Sequence, residues 1–222
     1  MTTEDIEVWM VEEPSRRHEP EASHDGIVQS AVSQPLPMIT EDEAMRATYL
    51  LGDFGSAQPL ELHNDNTVIP ILLRPLEIYL GAKWDLPADI WTFGCLVFEL
   101  VTAEHLFVHE RNQKFDLDET ENMLYQMMLY SREDFSGAQL QASPKAPEYF
   151  NADCKCRNTS TLKKNPKLFG GSIQTRFDEM KIISDEDATE TTRLMERCLC
   201  LDPSHRSTAT ELLSDPWFDG VE

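Results

Sequence analysis

Apolar positions cluster along the 222-residue chain, and their spacing predicts a mainly helical fold after residue 85, with little β-structure. The densest run is Ile90, Trp91, Phe93, Leu96, Val97, Phe98, Leu100 and Val101, which covers nearly every face of a helix opened by Asp85 or Pro87. A helix apolar all round belongs in the middle of a domain. From Asp118 to Tyr130, the residues Met123, Leu124, Met127 and Met128 form one apolar stripe. Asp118, Glu119 and Glu121 occupy the first turn, where acids complement the helix dipole. Two later helices open with a hydroxyl followed three residues on by an acid, which together satisfy free backbone amides. They are Ser184-x-x-Asp187, before Leu194, Met195, Cys198 and Leu199, and Thr208-x-x-Glu211, before Leu212 and Leu213, with Asp202-Pro203 between them.

Elsewhere the periodicity weakens. Met1 to Val11 predicts a short helix carrying Ile6, Val8, Trp9 and Val11, after which Pro14, Pro20, Pro35 and Pro37 mark an irregular, exposed stretch. Tyr49-Leu50-Leu51 reads as a short strand running into Asp53-Phe54-Gly55. Thr67 to Leu73 is an apolar run before Arg74-Pro75-Leu76-Glu77. Pro144, Pro147, Asn165-Pro166 and Gly170-Gly171 make residues 131–180 mostly loop. The chain thus divides into an acidic, largely irregular segment, 1–48, and a folded domain, 49–219. The first carries eleven acids, three arginines and no lysine.

Composition narrows the partners. A hydrophobic content of 41% supports a real core. A net charge of −21, from 40 acids and 19 bases, argues against direct nucleic-acid binding and favours basic ligands such as Arg- or Lys-rich peptides. The same acids also keep a domain dispersed in water. Five cysteines without an apolar leader segment imply a reduced intracellular setting, cytoplasm or nucleus. The longest apolar stretch, Ile90 to Val101, is interrupted by Thr92, Gly94 and Glu99 and is too short to span a bilayer. Cys154-x-Cys156 and Cys198-x-Cys200 have the wrong spacing for a zinc knuckle, so neither is read as a metal site.

Order and spacing give the short motifs their meaning. Asp53-Phe54-Gly55 opens a 25-residue segment that ends at Glu77 in Arg74-Pro75-Leu76-Glu77. Asp89-Ile90-Trp91-Thr92-Phe93-Gly94-Cys95 follows, then Leu201-Asp202-Pro203-Ser204-His205-Arg206-Ser207-Thr208-Ala209, and Ser214-Asp215-Pro216-Trp217-Phe218 near the end. This series resembles the second half of a eukaryotic protein kinase, from the metal-binding loop to the last helix. Within kinases it is most similar to the SR-protein kinases and their fungal relatives, through Arg74-x-Leu76-Glu77, Pro87-Ala88-Asp89-Ile90-Trp91, Phe98-Glu99-Leu100-Val101-Thr102 and Leu106-Phe107. Ala146-Pro147-Glu148 lies after the central helix and cannot end the activation segment.

The resemblance implies a kinase C-terminal lobe around a buried central helix, without the N-terminal β lobe. It implies that Asp53 holds magnesium on the ATP phosphates, where the residue alone reads as a turn aspartate. Glu77 would pair with Arg206 and pin the activation segment, against two solvated charges. Asp89 would cap the catalytic-loop backbone, or simply its own helix. Glu104 and Glu121 fall where SR kinases place acids of a docking groove for Arg/Ser-rich substrates, with Met128 at a third position; solvated helix ends are the alternative. ATP and magnesium are the cofactors of the intact family.

The parts that perform phosphoryl transfer are not in this sequence. The first lysine is Lys83, the only glycines before Asp53 are Gly26 and Gly52, and no Asp-x-Lys-x-x-Asn pattern precedes Asp53. Pro70 replaces the threonine that usually contacts the catalytic aspartate. His24-Asp25 and His63-x-Asp65 do not supply a catalytic loop. Catalytic residues are therefore assigned to none. Two readings follow: part of an ATP-dependent serine/threonine kinase, inactive as this fragment, or a non-catalytic helical scaffold that binds basic peptides at an acidic groove.

Overall fold

The computed structural model describes residues 3–24, 26–32, 40–59, 69–151, 163 and 171–219, and the chain falls into two units, Met1–Gly52 and Asp53–Glu222. Cys154, Cys156, His63 and Asp65 lie outside the described residues.

The first unit begins with α1 (Thr3–Glu12). Where the prolines predicted irregular chain, an antiparallel hairpin forms from β1 (Glu21–Ser23) and β2 (Gly26–Val28), with Glu21 opposite Val28. The pairing continues outward through Arg17 and Ala31. Gly26, at φ 129, takes a conformation that side chains disfavour, and its glycine is what lets the chain reverse there. The helix α2 (Glu41–Arg46) follows, opened by a reciprocal cap between Thr40 and Glu43. None of these elements contributes to the buried core. Tyr49, Leu50 and Leu51 form no strand and are strongly exposed; among the described residues no strand pairs with them.

The second unit holds the core. Its helices are α3 (Leu76–Tyr79), α4 (Pro87–Thr102), α5 (Glu119–Ser131), α6 (Gly137–Gln141), α7 (Ala146–Tyr149), α8 (Ile173–Met180), α9 (Asp185–Cys198) and α10 (Ala209–Leu212). Thr67 to Leu73 yields only a short 3₁₀ turn at Ile71–Leu73 among its described residues. Asp118 caps α5 reciprocally with Glu121, and Thr208 caps α10 with Glu211 in the same way. At α9 the bond is shared differently: Ser184 accepts the Asp187 amide, and its hydroxyl donates to the Asp187 carboxylate at 2.7 Å. The α5 stripe of Met123, Leu124, Met127 and Met128 is fully buried, each side chain worth about 1.5–3 kcal/mol of transfer free energy. Aromatic contacts knit these helices together. Trp91 stacks on Phe107 at 5.7 Å, Phe107 meets Tyr130 at 5.8 Å, and Phe98 meets Phe177 at 5.4 Å.

The helix expected at the centre of the domain is instead a wall of the core. On α4, Ala88, Trp91, Cys95, Val97 and Phe98 are buried, but Leu96 is 38% and Leu100 84% exposed. The elements packed on α4, chiefly α9, meet its other face, so its apolar residues are not covered all round. Gly94 lies on the packed face. A Cβ there would stand 2.7 Å from the Cβ of Cys198 and 3.0 Å from Leu199. Glycine thus sets how closely α4 and α9 approach, despite its helix propensity.

Under the last turns of the chain, Asp215 is buried beside two arginines. Arg193 donates to Oδ1 at 2.7 Å and to Oδ2 at 3.2 Å, Arg197 donates to Oδ2, and the Trp217 amide donates to Oδ1 at 3.0 Å. Burial by itself would raise this carboxyl. The Trp217 amide and the two guanidinium groups outweigh burial, and Asp215 is held below the ordinary aspartate value.

Two predictions follow from this packing. Alanine normally improves a helix over glycine by about 1 kcal/mol, but Gly94→Ala should lower stability by about 1–3 kcal/mol, because α4 and α9 must separate. Urea denaturation measures this, and a gain in stability would mean the crossing is slack. The depressed Asp215 carboxyl stabilises the fold fully above its unfolded value near 3.8, and that stabilisation is lost as pH falls through the folded value. The natural chain should therefore lose more thermal stability than Asp215→Asn between about pH 5 and about pH 2. Parallel pH profiles would refute the assignment.

Candidate functional site

Pro75 leads into α3, whose four residues are all buried, and this short helix carries Glu77 inward. Arg206 leaves the Pro203–His205 turn, which Asp202 caps by accepting the Ser204 amide. The two side chains meet fork to fork: Nη1 donates to Oε1 at 2.7 Å and Nη2 to Oε2 at 2.9 Å. Both residues are only 6% exposed. Arg206 also donates to the carbonyls of Cys200 at 2.9 Å and Pro87 at 2.9 Å, and its guanidinium lies 5.1 Å from the ring centre of Trp91. Every edge of the cation is therefore occupied, which a buried charge requires. The stretch before Glu77 is tied down as well. Tyr79 donates to the Ile71 carbonyl at 2.6 Å, Arg74 to that of Ile69 at 2.6 Å, and Thr92 to that of Leu73 at 3.3 Å. Burial pushes the Tyr79 phenol well above its ordinary value, so it stays a neutral donor.

Asp53 lies in a different setting. It is exposed, adopts the left-handed conformation at φ 57 and ψ 60, and opens the Phe54–Ser56 turn without a side-chain cap. Phe54 is 64% exposed beside it. Magnesium demands near-octahedral oxygen ligation. Among the described residues no group of three or more His, Cys, Asp or Glu side chains is placed to hold a metal ion. Asp53 supplies one carboxylate, and the described residues do not fit a magnesium–ATP site. Asp89 stands exposed in the first turn of α4, and Leu86, not an acid, occupies that helix's N-cap position. Asp85 instead accepts the Leu86 amide at 2.7 Å. Pro70 precedes the Ile71–Leu73 turn, and its carbonyl accepts the Leu73 amide at 2.9 Å.

The three groove positions separate. Glu104 is exposed, and Arg176 of α8 stands 3.7 Å from its carboxylate. Glu121 is buried, and its carboxylate accepts the Asp118 amide at 2.8 Å, so it serves the α5 cap instead of facing a ligand. Met128 is part of the core. Sequence reasoning missed Arg176, which donates to Tyr130 Oη at 3.0 Å and lies 5.0 Å from the Phe98 ring centre. It also missed the Asp215 cluster, for which the i, i+4 spacing of Arg193 and Arg197 on one helix face was the available signal. Cys95 and Cys198 are buried free thiols; burial pushes Cys198 up to about 12 and raises Cys95 as well, so these two stay protonated at neutral pH. No helix among the described residues is long and apolar enough to cross a membrane.

A family model described as "Protein kinase domain" matches residues 38–218. Among curated proteins, the chain is 28% identical over 168 residues to serine/threonine-protein kinase SKY1 of Saccharomyces cerevisiae, covering 76% of this chain and 21% of that protein. It is 25% identical over 185 residues to protein kinase dsk1 of Schizosaccharomyces pombe, covering 82% and 32%. It is 26% identical over 171 residues to serine/threonine-protein kinase SRPK of Physarum polycephalum, covering 77% and 38%. The chain thus spans about a fifth to two fifths of the length of these relatives.

Removing one partner of the buried pair strands the other charge. Glu77→Ala or Arg206→Ala should each destabilise the second unit by about 3–5 kcal/mol, whereas Glu77→Leu combined with Arg206→Met should cost less than the two single changes summed. Chemical denaturation followed by near-UV circular dichroism tests this; additive losses would show that the pair is not coupled.

Proposed function

This chain belongs to the protein kinase family, and from that membership we propose that it is the C-terminal part of an SR-type serine/threonine kinase domain that transfers no phosphate by itself. The observation that carries the reading is the buried Glu77–Arg206 fork. It joins the end of the segment begun by Asp53-Phe54-Gly55 to the turn after α9, and it sits in an ordered series of kinase motifs.

Positioning and electrostatics do most of the work in phosphoryl transfer, and they require several groups at once. A lysine on the phosphates, a base for the substrate hydroxyl and a second metal ligand all have counterparts in intact kinases. Residues 1–52 contain no lysine, and no Asp-x-Lys-x-x-Asn segment occurs there. ATP and magnesium are thus cofactors of the whole family domain, for which Asp53 would supply one metal ligand. In the complete protein the activity would be phosphorylation of serine or threonine, with Arg/Ser-rich proteins as the substrate class. Glu104 is the exposed acid that supports such a partner, and the −21 net charge favours a basic one. The scaffold reading has less support, since Glu121 and Met128 are buried.

The chain mixed with magnesium, radiolabelled ATP and an Arg/Ser-repeat peptide should give no phosphopeptide above background. Calorimetric titration with magnesium–ATP should give no saturable heat at micromolar nucleotide. Turnover, or a micromolar Kd, would refute the reading of this stretch as inactive alone.

A further inference from the structure

An open trough of about 550 Å³, lined neither by Glu104 nor by the Glu77–Arg206 fork, runs between the C-terminal end of α4, the start of α9 and the Pro216–Phe218 turn. Val101, Ile183 and Trp217 give it an apolar lining, and Glu186, Asp187 and Glu190 supply carboxylates. Among the described residues, no basic side chain lines it. Arg193 stands 3.1 Å from Glu190 and is also bound to Asp215. The trough's volume falls within the ordinary range for ligand clefts.

The Trp217 ring is fixed in place. Its indole N–H donates to Thr191 Oγ1 at 3.0 Å, and Phe218 packs edge-on at 5.0 Å. With its donor engaged, the indole presents only ring surface, and a tryptophan face is the best aromatic platform for a cation. The first two turns of α9 hold Asp185, Glu186, Asp187 and Glu190 with no base before Arg193. An anionic or second acidic partner would meet a net excess of like charge there, and another copy of this chain, at −21, is such a partner.

We propose that this trough docks a basic, amphipathic peptide segment. An aliphatic side chain would rest on Val101 and Ile183, while an arginine or lysine lies against Trp217 within reach of Glu186 and Glu190. Carboxylates bind arginine by paired hydrogen bonds, and the apolar lining supplies the desolvation that a surface ion pair lacks. Glu104 does not line the site, and the site does not depend on the kinase reading of the chain.

The test uses the full chain and a fluorescein-labelled peptide of alternating leucine and arginine, followed by anisotropy. The natural chain should bind it, and Glu186→Gln with Glu190→Gln should weaken Kd about tenfold, equivalent to about 1.4 kcal/mol. Both residues are exposed, so the fold should tolerate the change. Glu104→Gln should leave Kd within about twofold, and the Trp217 indole N–H resonance should shift on titration. No binding would overturn the proposal. So would equal losses from Glu104→Gln and the Glu186/Glu190 variant, which would mean diffuse attraction to an acidic surface, and so would binding that leaves the Trp217 resonance unmoved.

Discussion

A guanidinium removed from water must have all its donors met, and Arg206 meets them by drawing three other stretches of chain onto its own turn. The Glu77 fork brings in α3, the Pro87 carbonyl brings in the start of α4, and the Cys200 carbonyl brings in the end of α9. The ring of Trp91 closes the remaining face. Glu77 stands 129 positions and Pro87 119 positions before Arg206, whereas Cys200 is only six residues away. Such a node contributes more to uniqueness of arrangement than to net stability, since desolvation cancels much of the attraction. Its geometry admits one register of α3 against α4.

Around that node the apolar contacts are ordinary in kind and dense in number. The methionines of α5 fill the interior beside Phe98, Phe107 and Leu117, and α9 lies against α4 where Gly94 permits close approach. The second charged cluster, Asp215 with Arg193 and Arg197, holds the final turns onto α9. Both clusters lie toward the C-terminal end of α9: one is reached from the chain just beyond it, the other from Arg193 and Arg197 in its last two turns.

Much of this was legible in the residues alone. The α5 stripe and the caps at Ser184 and Thr208 follow from periodicity and capping chemistry, and the pairing of Glu77 with Arg206 from what the resemblance to kinases implies. What was not legible depends on neighbours. Nothing in Leu96 or Leu100 says that one face of α4 stays uncovered, and a strand needs a partner that Tyr49-Leu50-Leu51 lacks among the described residues. The hairpin at Glu21–Val28 carries exposed residues on both strands, so no alternation signals it. Glu121 illustrates the limit at the site. An acid at N3 of a helix and an acid in a groove look alike in sequence, and only burial together with the Asp118 amide distinguishes them.

The uncovered leucines of α4 bear on how the protein behaves as a solute. Leu96 and Leu100 lie one helical turn apart and present a sticky strip to water. In dilute buffer, the repulsion between molecules of charge −21 keeps such strips from meeting. Added salt shortens the reach of that repulsion from about 10 Å at 0.1 M to about 3 Å at 1 M while leaving the apolar attraction intact. Clouding on concentration would then be governed by ionic strength before temperature, and the leucine strip would set where it begins.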